Sequence, residues 1–250
     1  VELRGAVGRF SCGCYDTDGV GVPTVGPEDG YLGNSTWGEA LEAVGDAVNI
    51  ASKSAAIFSA NMTNEEAWLA KELFVGKMGA TAGVMVDPIG PIKMKSRTEW
   101  LLGTQAAPNY RGVAATLGES SIEELLTNGA DGIDVLFITD AMFSERAKDP
   151  AVVANLRKAK FLVVMSWDAN HPLNQVADVL LPSTIHVEKE GTFTNLQGRV
   201  QRIHQAYPPK GQAVTDLELY RRIGAILYGD ARFDHIPEFE PATETAGAQA

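Results

Sequence analysis

Cysteine is nearly absent from this chain. Cys12 and Cys14, in Ser-Cys-Gly-Cys, are the two present in 250 residues. A single C-x-C pair excludes a disulfide framework. It also excludes a self-contained iron–sulfur cluster, which takes four thiolates, or a zinc site, which takes a mixture of Cys and His. The four histidines, His171, His186, His204 and His235, do not stand at ligand spacing from one another. The pair reads either as two free thiols or as a contribution to a metal site shared with another chain.

Positive charge is scarce as well. Lys and Arg total 21 against 32 Asp and Glu, a formal net charge of −11. Nucleic-acid surfaces need clustered cations to neutralise phosphates, so that class is excluded. Small substrates and protein partners with basic patches stay open. No window reaches the roughly 18 apolar residues of a membrane-spanning helix. The first residues, VELRGAVGRFSCGCYDTDG, contain no apolar signal-peptide core. A cytoplasmic protein is the expectation, with no direct membrane insertion but room for a place on a membrane-attached complex. The common cofactor fingerprints are missing too. Gly-Val-Gly-Val at 19–22 neither follows a strand nor opens a helix, and there is no Walker loop and no Gly-x-Ser-x-Gly elbow.

What the chain does have is apolar residues, 45% of the total, in alternating strand-like and helix-like runs. Thr36 is a candidate N-cap with Glu39 completing a capping box, and Trp37, Leu41, Val44 and Val48 recur at helical spacing. A helix is expected from Asn64, read as its N-cap, with Glu65 and Glu66 in the first turn. Further helices are expected over 121–128, 150–160 and 215–228, with a helical turn at 174–177. Short apolar runs at 55–60, 84–86, 134–140, 161–165 and 178–182 read as buried strands. Residues 87–120 read as loop. The runs are continuous rather than alternating, which indicates strands covered on both faces. The fold class is therefore α/β, a mostly parallel sheet with helices on both faces. The expected organisation is an extended lead-in arm at 1–35, the α/β domain at 36–229 and an acidic, flexible tail at 230–250.

Ligands of such sheets sit beyond the carboxyl ends of the strands. The loops at 59–64, 139–145 and 166–173 are where chemistry would lie. Asp168 and Asn170 could accept hydrogen bonds from a base or ribose, or simply cap their loop. Asn64, Glu65 and Glu66 could meet a ligand or serve the helix start. His171 is a lone loop histidine and reads as structural. The stretch EKEGTFTNLQGRVQRI at 188–203 is neither loop-like nor core-like. Gly191 and Gly198 bracket it, and polar residues alternate with Phe193 and Leu196. It is built to hold its backbone against something.

The order of these pieces resembles the molybdopterin oxidoreductase superfamily. Gly8-Arg-Phe-Ser11 and Thr36-Trp-Gly-Glu-Ala-Leu41 are similar to its entry turn and first helix. Ser59-Ala-Asn-Met-Thr-Asn-Glu-Glu66 resembles its next strand-to-helix loop. Asp168 with Ala177-Asp-Val-Leu-Leu-Pro182 resembles a later strand. Glu188-Lys-Glu-Gly-Thr-Phe-Thr-Asn195 and Gly198-Arg-Val-Gln201 resemble its cofactor-cleft loop. Within the superfamily the likeness is to the large iron–sulfur subunit of bacterial NADH:quinone oxidoreductase (complex I) and to NAD-linked hydrogenase and formate dehydrogenase subunits.

The resemblance implies a subunit of an NADH-linked electron-transfer complex, with flavin and iron–sulfur clusters held by partner subunits. It implies that Gly198, Asn195 and Arg199 would approach phosphate or pterin, with Asn64 and Asp168 beside them, if the cleft works. Catalytic members bind two pyranopterin nucleotides and supply a metal ligand from a further domain, and no cysteine follows residue 14 here. The expectation is thus a cofactor-free, non-catalytic remnant, with no catalytic residue and no metal ligand beyond the weak pair Cys12 and Cys14. Two alternatives are a half-site for molybdopterin guanine dinucleotide and a stand-alone small-molecule binder.

Overall fold

A computed structural model of the chain describes residues 24–25, 33–85, 107–118, 122–139, 145–168, 170–229, 233 and 235–239. Two short strands lie within the lead-in, β1 (Thr24–Val25) and β2 (Gly33–Asn34), and the apolar runs become β3 (Ser54–Ser59), β4 (Thr81–Met85), β5 (Val135–Thr139), β6 (Phe161–Ser166) and β7 (Val179–Pro182). The amphipathic runs become α1 (Trp37–Ile50), α2 (Asn64–Ala70), α3 (Tyr110–Leu117), α4 (Glu123–Thr127), α5 (Pro150–Leu156) and α6 (Asp216–Tyr228). These seven strands form one sheet in the order β2-β1-β7-β6-β5-β3-β4. Five of them, from β7 to β4, are mutually parallel. The two-residue strands β1 and β2 add antiparallel at one edge. The chain adopts the expected α/β class.

Side chains of a strand alternate between its faces, so a continuous apolar run feeds two cores. Phe58, Phe137, Val163 and Leu181 enter one layer together with α1, α2 and α6. Ile57, Leu136, Val164 and Leu180 enter the other, against α4 and α5. At the centre of the first layer, Phe74 meets Phe58, Phe137 and Tyr220 edge to face at 5.4, 4.9 and 5.4 Å between ring centroids. Each fully buried ring of this kind contributes about 1.5–3 kcal/mol. The Tyr220 hydroxyl is not left unpaired in this layer; it donates to Thr139 Oγ1 at 3.0 Å.

Several boundaries differ from the sequence reading, each for a local reason. Residues 87–120 are not all loop, because α3 lies within them. Its short run Tyr-Arg-Gly-Val-Ala-Ala-Thr-Leu has only two buried positions, Gly112 and Val113, and so carries little periodicity. Strand β4 begins at Thr81 rather than Val84; its first residues pair with Ala55 and Ala56 of β3. Helix α5 stops at Leu156, short of Lys160, where Lys158 and Ala159 form tighter bonds to Asn155 and Leu156. After Ala70 the α2 helix continues as a π-helical segment, Lys71–Lys77, and the Met78 amide donates to the Leu73 carbonyl at 2.9 Å. The start of α1 is as read, with the Thr36 amide donating to Glu39 Oε2 at 2.8 Å and the Glu39 amide to Thr36 Oγ1 at 3.3 Å.

Two features position the candidate site. From β3 the chain passes to β4 on one side and later to β5 on the other, so the topology reverses between β3 and β5, whose carboxyl ends are Ser59 and Thr139. The unusual stretch near residue 190 forms an antiparallel hairpin outside the main sheet, β8 (Gly191–Thr194) and β9 (Val200–Ile203). Within 1–35, the described backbone is Thr24–Val25 and Gly33–Ser35. Cys12, Cys14 and the Gly8-Arg-Phe-Ser11 turn lie outside the described residues, as does most of 230–250.

Candidate functional site

The loop after β3 makes a tight start to α2. Thr63, not Asn64, is its N-cap: Thr63 Oγ1 accepts from the Glu66 amide at 3.1 Å and Glu66 Oε2 accepts from the Thr63 amide at 2.7 Å. The reciprocal capping box satisfies two helix-end donors and corrects the reading of Asn64. Asn64 is thereby released to reach across. Its Nδ2 donates to Thr192 Oγ1 at 3.0 Å and Thr194 Oγ1 at 3.2 Å, and its Oδ1 accepts from Asn109 Nδ2 at 3.1 Å.

Asn109 is the hub of this junction. Its Nδ2 also donates to the Met62 carbonyl at 2.8 Å, and its Oδ1 accepts from the Thr194 amide at 2.6 Å. Glu65 takes the Thr192 amide at 2.8 Å and the Thr192 hydroxyl at 2.9 Å. Hairpin and helix are too close for side chains at two glycines. A Cβ on Gly191 would stand 2.7 Å from Glu65 Oε2, and one on Gly112 only 1.9 Å from Asn64 Oδ1. The close backbone approach expected of Gly191 is therefore made to the chain's own helix.

Behind the hairpin lies a buried ionic cluster. Lys189 Nζ donates to Glu66 Oε2 and to Asp216 Oδ2, each at 3.0 Å, and all three side chains are at most 2% exposed. Ser183 Oγ donates to Asp216 Oδ1 at 2.6 Å. The cluster ties α2, the hairpin and α6 together. Burial lifts the Glu66 carboxyl above the usual carboxylate range; the Lys189 ammonium opposes that rise and the Asp216 charge adds to it. Sequence reasoning missed Asn109, Lys189, Asp216 and Ser183. The one available signal was a lysine directly before a stretch dense in glycine and threonine.

At the hairpin tip, Asn195 organises the turn. Its Oδ1 accepts from the Gln197 amide at 2.9 Å and the Arg199 amide at 3.0 Å, while its Nδ2 donates to Gln201 Oε1 at 3.0 Å. Gly198 sits at φ +81°, a conformation that L side chains rarely adopt. Arg199 is exposed and its guanidinium meets no partner among the described residues. Asp168 works within its own loop: its Oδ1 accepts from the Asn170 amide at 3.0 Å, and its carbonyl accepts from Ser166 Oγ and Asn174 Nδ2. Asn64, Asn195, Gly198 and Arg199 thus share the hairpin and its footing, while the bonds of Asp168 stay in the loop after β6.

That loop has a different character. His171 is buried, and its Nδ1 accepts from the Leu173 amide at 3.3 Å. Burial depresses the imidazole to a pKa of about 4, with the Asp168 charge opposing, so it is neutral near pH 7. That value is poorly matched to proton transfer at neutral pH. Among the described residues, His171 Nε2, Asn174 Oδ1 and Thr184 Oγ1 are buried without hydrogen-bond partners. All three follow the carboxyl ends of β6 and β7. Among the described residues no group of three His, Cys, Asp or Glu side chains is placed to hold a metal ion.

A mostly parallel sheet with helices on both faces and a topological reversal between β3 and β5 defines an α/β domain of the doubly wound kind. Residues 103–226, just under half of the chain, match the molybdopterin oxidoreductase family model. Three relatives carry provisional formate dehydrogenase names. The chain is 36% identical over 91 residues to one from Staphylococcus haemolyticus, 35% of this chain and 9% of that protein. It is 35% identical over 91 residues to one from Staphylococcus aureus strain MRSA252, with the same coverage of 35% and 9%. It is 43% identical over 61 residues to one from Bacillus subtilis, 24% of this chain and 6% of that protein. The matched stretches thus span less than a tenth of these relatives.

The cofactor that the family implies can be tested against the side chains. Asn64 and Asn195 would each have to break bonds that shape the hairpin before meeting a pterin or phosphate. Arg199 and Gly198 are exposed at the tip. As a set, the five candidates do not form a preformed cradle for that group.

Proposed function

We propose that this chain is a structural, cofactor-free domain of an NADH-linked electron-transfer complex, of the kind represented by complex I or an NAD-linked formate dehydrogenase. The observation that carries the reading is the engagement of the Gly-Thr-Phe-Thr-Asn hairpin. Its Thr192 and Thr194 amides, and its Thr192, Thr194 and Asn195 side chains, bond to Glu65, Asn109, Asn64 and to the hairpin's own turn. A loop built to cradle a ligand keeps donors free for it; this one closes the domain. In this role the domain packs against iron–sulfur and flavin subunits and shields the electron path from water. No described helix is long and apolar enough to cross a membrane, in keeping with attachment through partners.

The test is the native assembly, purified through a tag on this chain. Iron and flavin are expected to co-purify, with molybdenum and tungsten far below one per chain, and with no fluorescent oxidised pterin released on denaturation. Stoichiometric pterin traced to this chain would overturn the reading. The second reading is a half-site for molybdopterin guanine dinucleotide shared with a partner. It is favoured by the three buried atoms after β6 and β7, and by the Arg199 guanidinium, that have no partner among the described residues. Under it, pterin would be present and would be lost in an Arg199→Ala variant.

A further inference from the structure

Among the described residues, the hairpin is finished along one edge and open along the other. On β8, the amides of Thr192 and Thr194 point away from β9, since Glu65 and Asn109 take them. In an antiparallel ladder, residues directly opposite alternate between pairs that exchange hydrogen bonds and pairs that do not. The pairs Thr192↔Arg202 and Thr194↔Val200 are therefore of the second kind. It follows that the amides and carbonyls of Val200 and Arg202 point outward along the far edge of β9. That sheet has two strands, and among the described residues nothing bonds to those four groups.

The open edge is cationic on an acidic protein. Arg199 and Arg202 are exposed along it, and Arg111 of α3 places a guanidinium nitrogen 3.7 Å from where a side chain on Gly198 would begin. None of the three makes an ion pair among the described residues. The chain as a whole carries −11. Elsewhere on the described surface, arginines have partners: Arg146 with Glu123, Arg157 with Asp178 and Arg222 with Glu218.

We infer that β9 is a docking edge for an extended, acidic segment of a partner polypeptide, which adds to the hairpin as a third strand. Main-chain bonds to Val200 and Arg202 supply the pairing, as in other strand-addition interfaces. The three guanidiniums select acidic side chains on the incoming strand and reject basic ones. Two outward-facing residues supply few bonds, so the charges carry much of the discrimination. The inference rests on the chain working inside an assembly, but not on the absence of a pterin. Its test therefore leaves pterin and metal content, the measures of the proposed function, untouched.

The test uses the full chain, isotope-labelled, titrated with a capped Glu-Val-Glu-Val-Glu-Val peptide. The expected result is a chemical-shift change and slowed hydrogen exchange at the Val200 and Arg202 amides. A capped Lys-Val-Lys-Val-Lys-Val peptide should produce neither. Arg199→Glu with Arg202→Glu should weaken binding by about tenfold or more. Val200→Pro removes one outward amide at an edge that tolerates proline, and should abolish the protection at Arg202 while the rest of the spectrum stays folded. Three results would overturn the inference: no protection at millimolar peptide, the same shifts from inorganic phosphate with none from peptide, or amides already protected in the free chain by self-association.

Discussion

The base of the hairpin and the loop after β6 are both buried and polar, yet they are finished to different degrees. At the base, Asn64, Glu65, Asn109 and Thr192 bond one another, and Lys189 lies between two carboxylates. In the β6 loop, His171 and Asn174 each keep one buried atom without a partner among the described residues. A satisfied network fixes one arrangement of the chain, whereas an unpartnered buried group stands ready for a water, a ligand or a partner. The contrast places the rigid footing of this domain at α2 and its less fully bonded polar groups over β6 and β7.

The largest effect expected from breaking that contrast is at Lys189. Lys189→Met removes the ammonium and leaves Glu66 and Asp216 facing each other in a buried site. The expected loss is about 3–5 kcal/mol, the range for removing one member of a buried ion pair. Denaturant unfolding measures it. Glu66→Gln in the same background removes one carboxylate charge and should restore part of the loss. If Lys189→Met unfolds at the wild-type denaturant concentration, the base does not anchor the hairpin. The sign of the Glu66 effect is separately checkable. Its carboxyl is raised in the folded state, so its contribution to stability is fully present below the unfolded value near 4.5 and fades as pH rises through the folded value. Glu66→Gln should flatten that part of the profile.

His171 gives a smaller effect, on the other side of the comparison. Its folded pKa of about 4 lies below the ordinary 6.5. Stability held by the neutral imidazole is present above about pH 6.5 and is lost as pH falls toward 4. His171→Asn keeps an acceptor for the Leu173 amide without a titrating ring. The variant should lose about 1–2 kcal/mol less than wild type between pH 7 and pH 4. The imidazole resonances, followed by NMR, should titrate well below pH 6. A midpoint near 6.5 would show that the loop admits water freely and that its unpartnered atoms are solvated.

How much of the fold and the site is legible in the sequence follows from the range of each interaction. Strands such as Val135–Thr139 and Phe161–Ser166 announce themselves through continuous apolar residues, and the Thr36 capping box joins residues three positions apart. Local chemistry of that kind can be read directly. The junction cannot, because its bonds join residues 27 to 130 positions apart: Lys189 with Asp216, Asn109 with Asn64, Lys189 with Glu66, Asn64 with Thr194. Asn64 shows the limit well. It has the right chemistry for an N-cap, but Thr63 beside it pairs with Glu66 and wins the position. The hairpin is recognisable as a surface for close approach, although its partner is the protein's own helix.

The mildest perturbation separates the tip of the hairpin from its base. Gly198→Ala forces a Cβ into a φ of +81°, at a cost of about 1 kcal/mol. The position is exposed, with Arg111 the nearest side chain at 3.7 Å, so strain rather than collision is the expected effect. The turn amides of Gln197 and Arg199, which Asn195 accepts, should exchange faster with solvent. The Thr192 and Thr194 amides, held by Glu65 and Asn109, should keep their wild-type protection. Faster exchange at all four would mean that the hairpin opens as one unit and that its base takes no independent hold. Unchanged exchange at all four would mean that Asn195 alone maintains the turn.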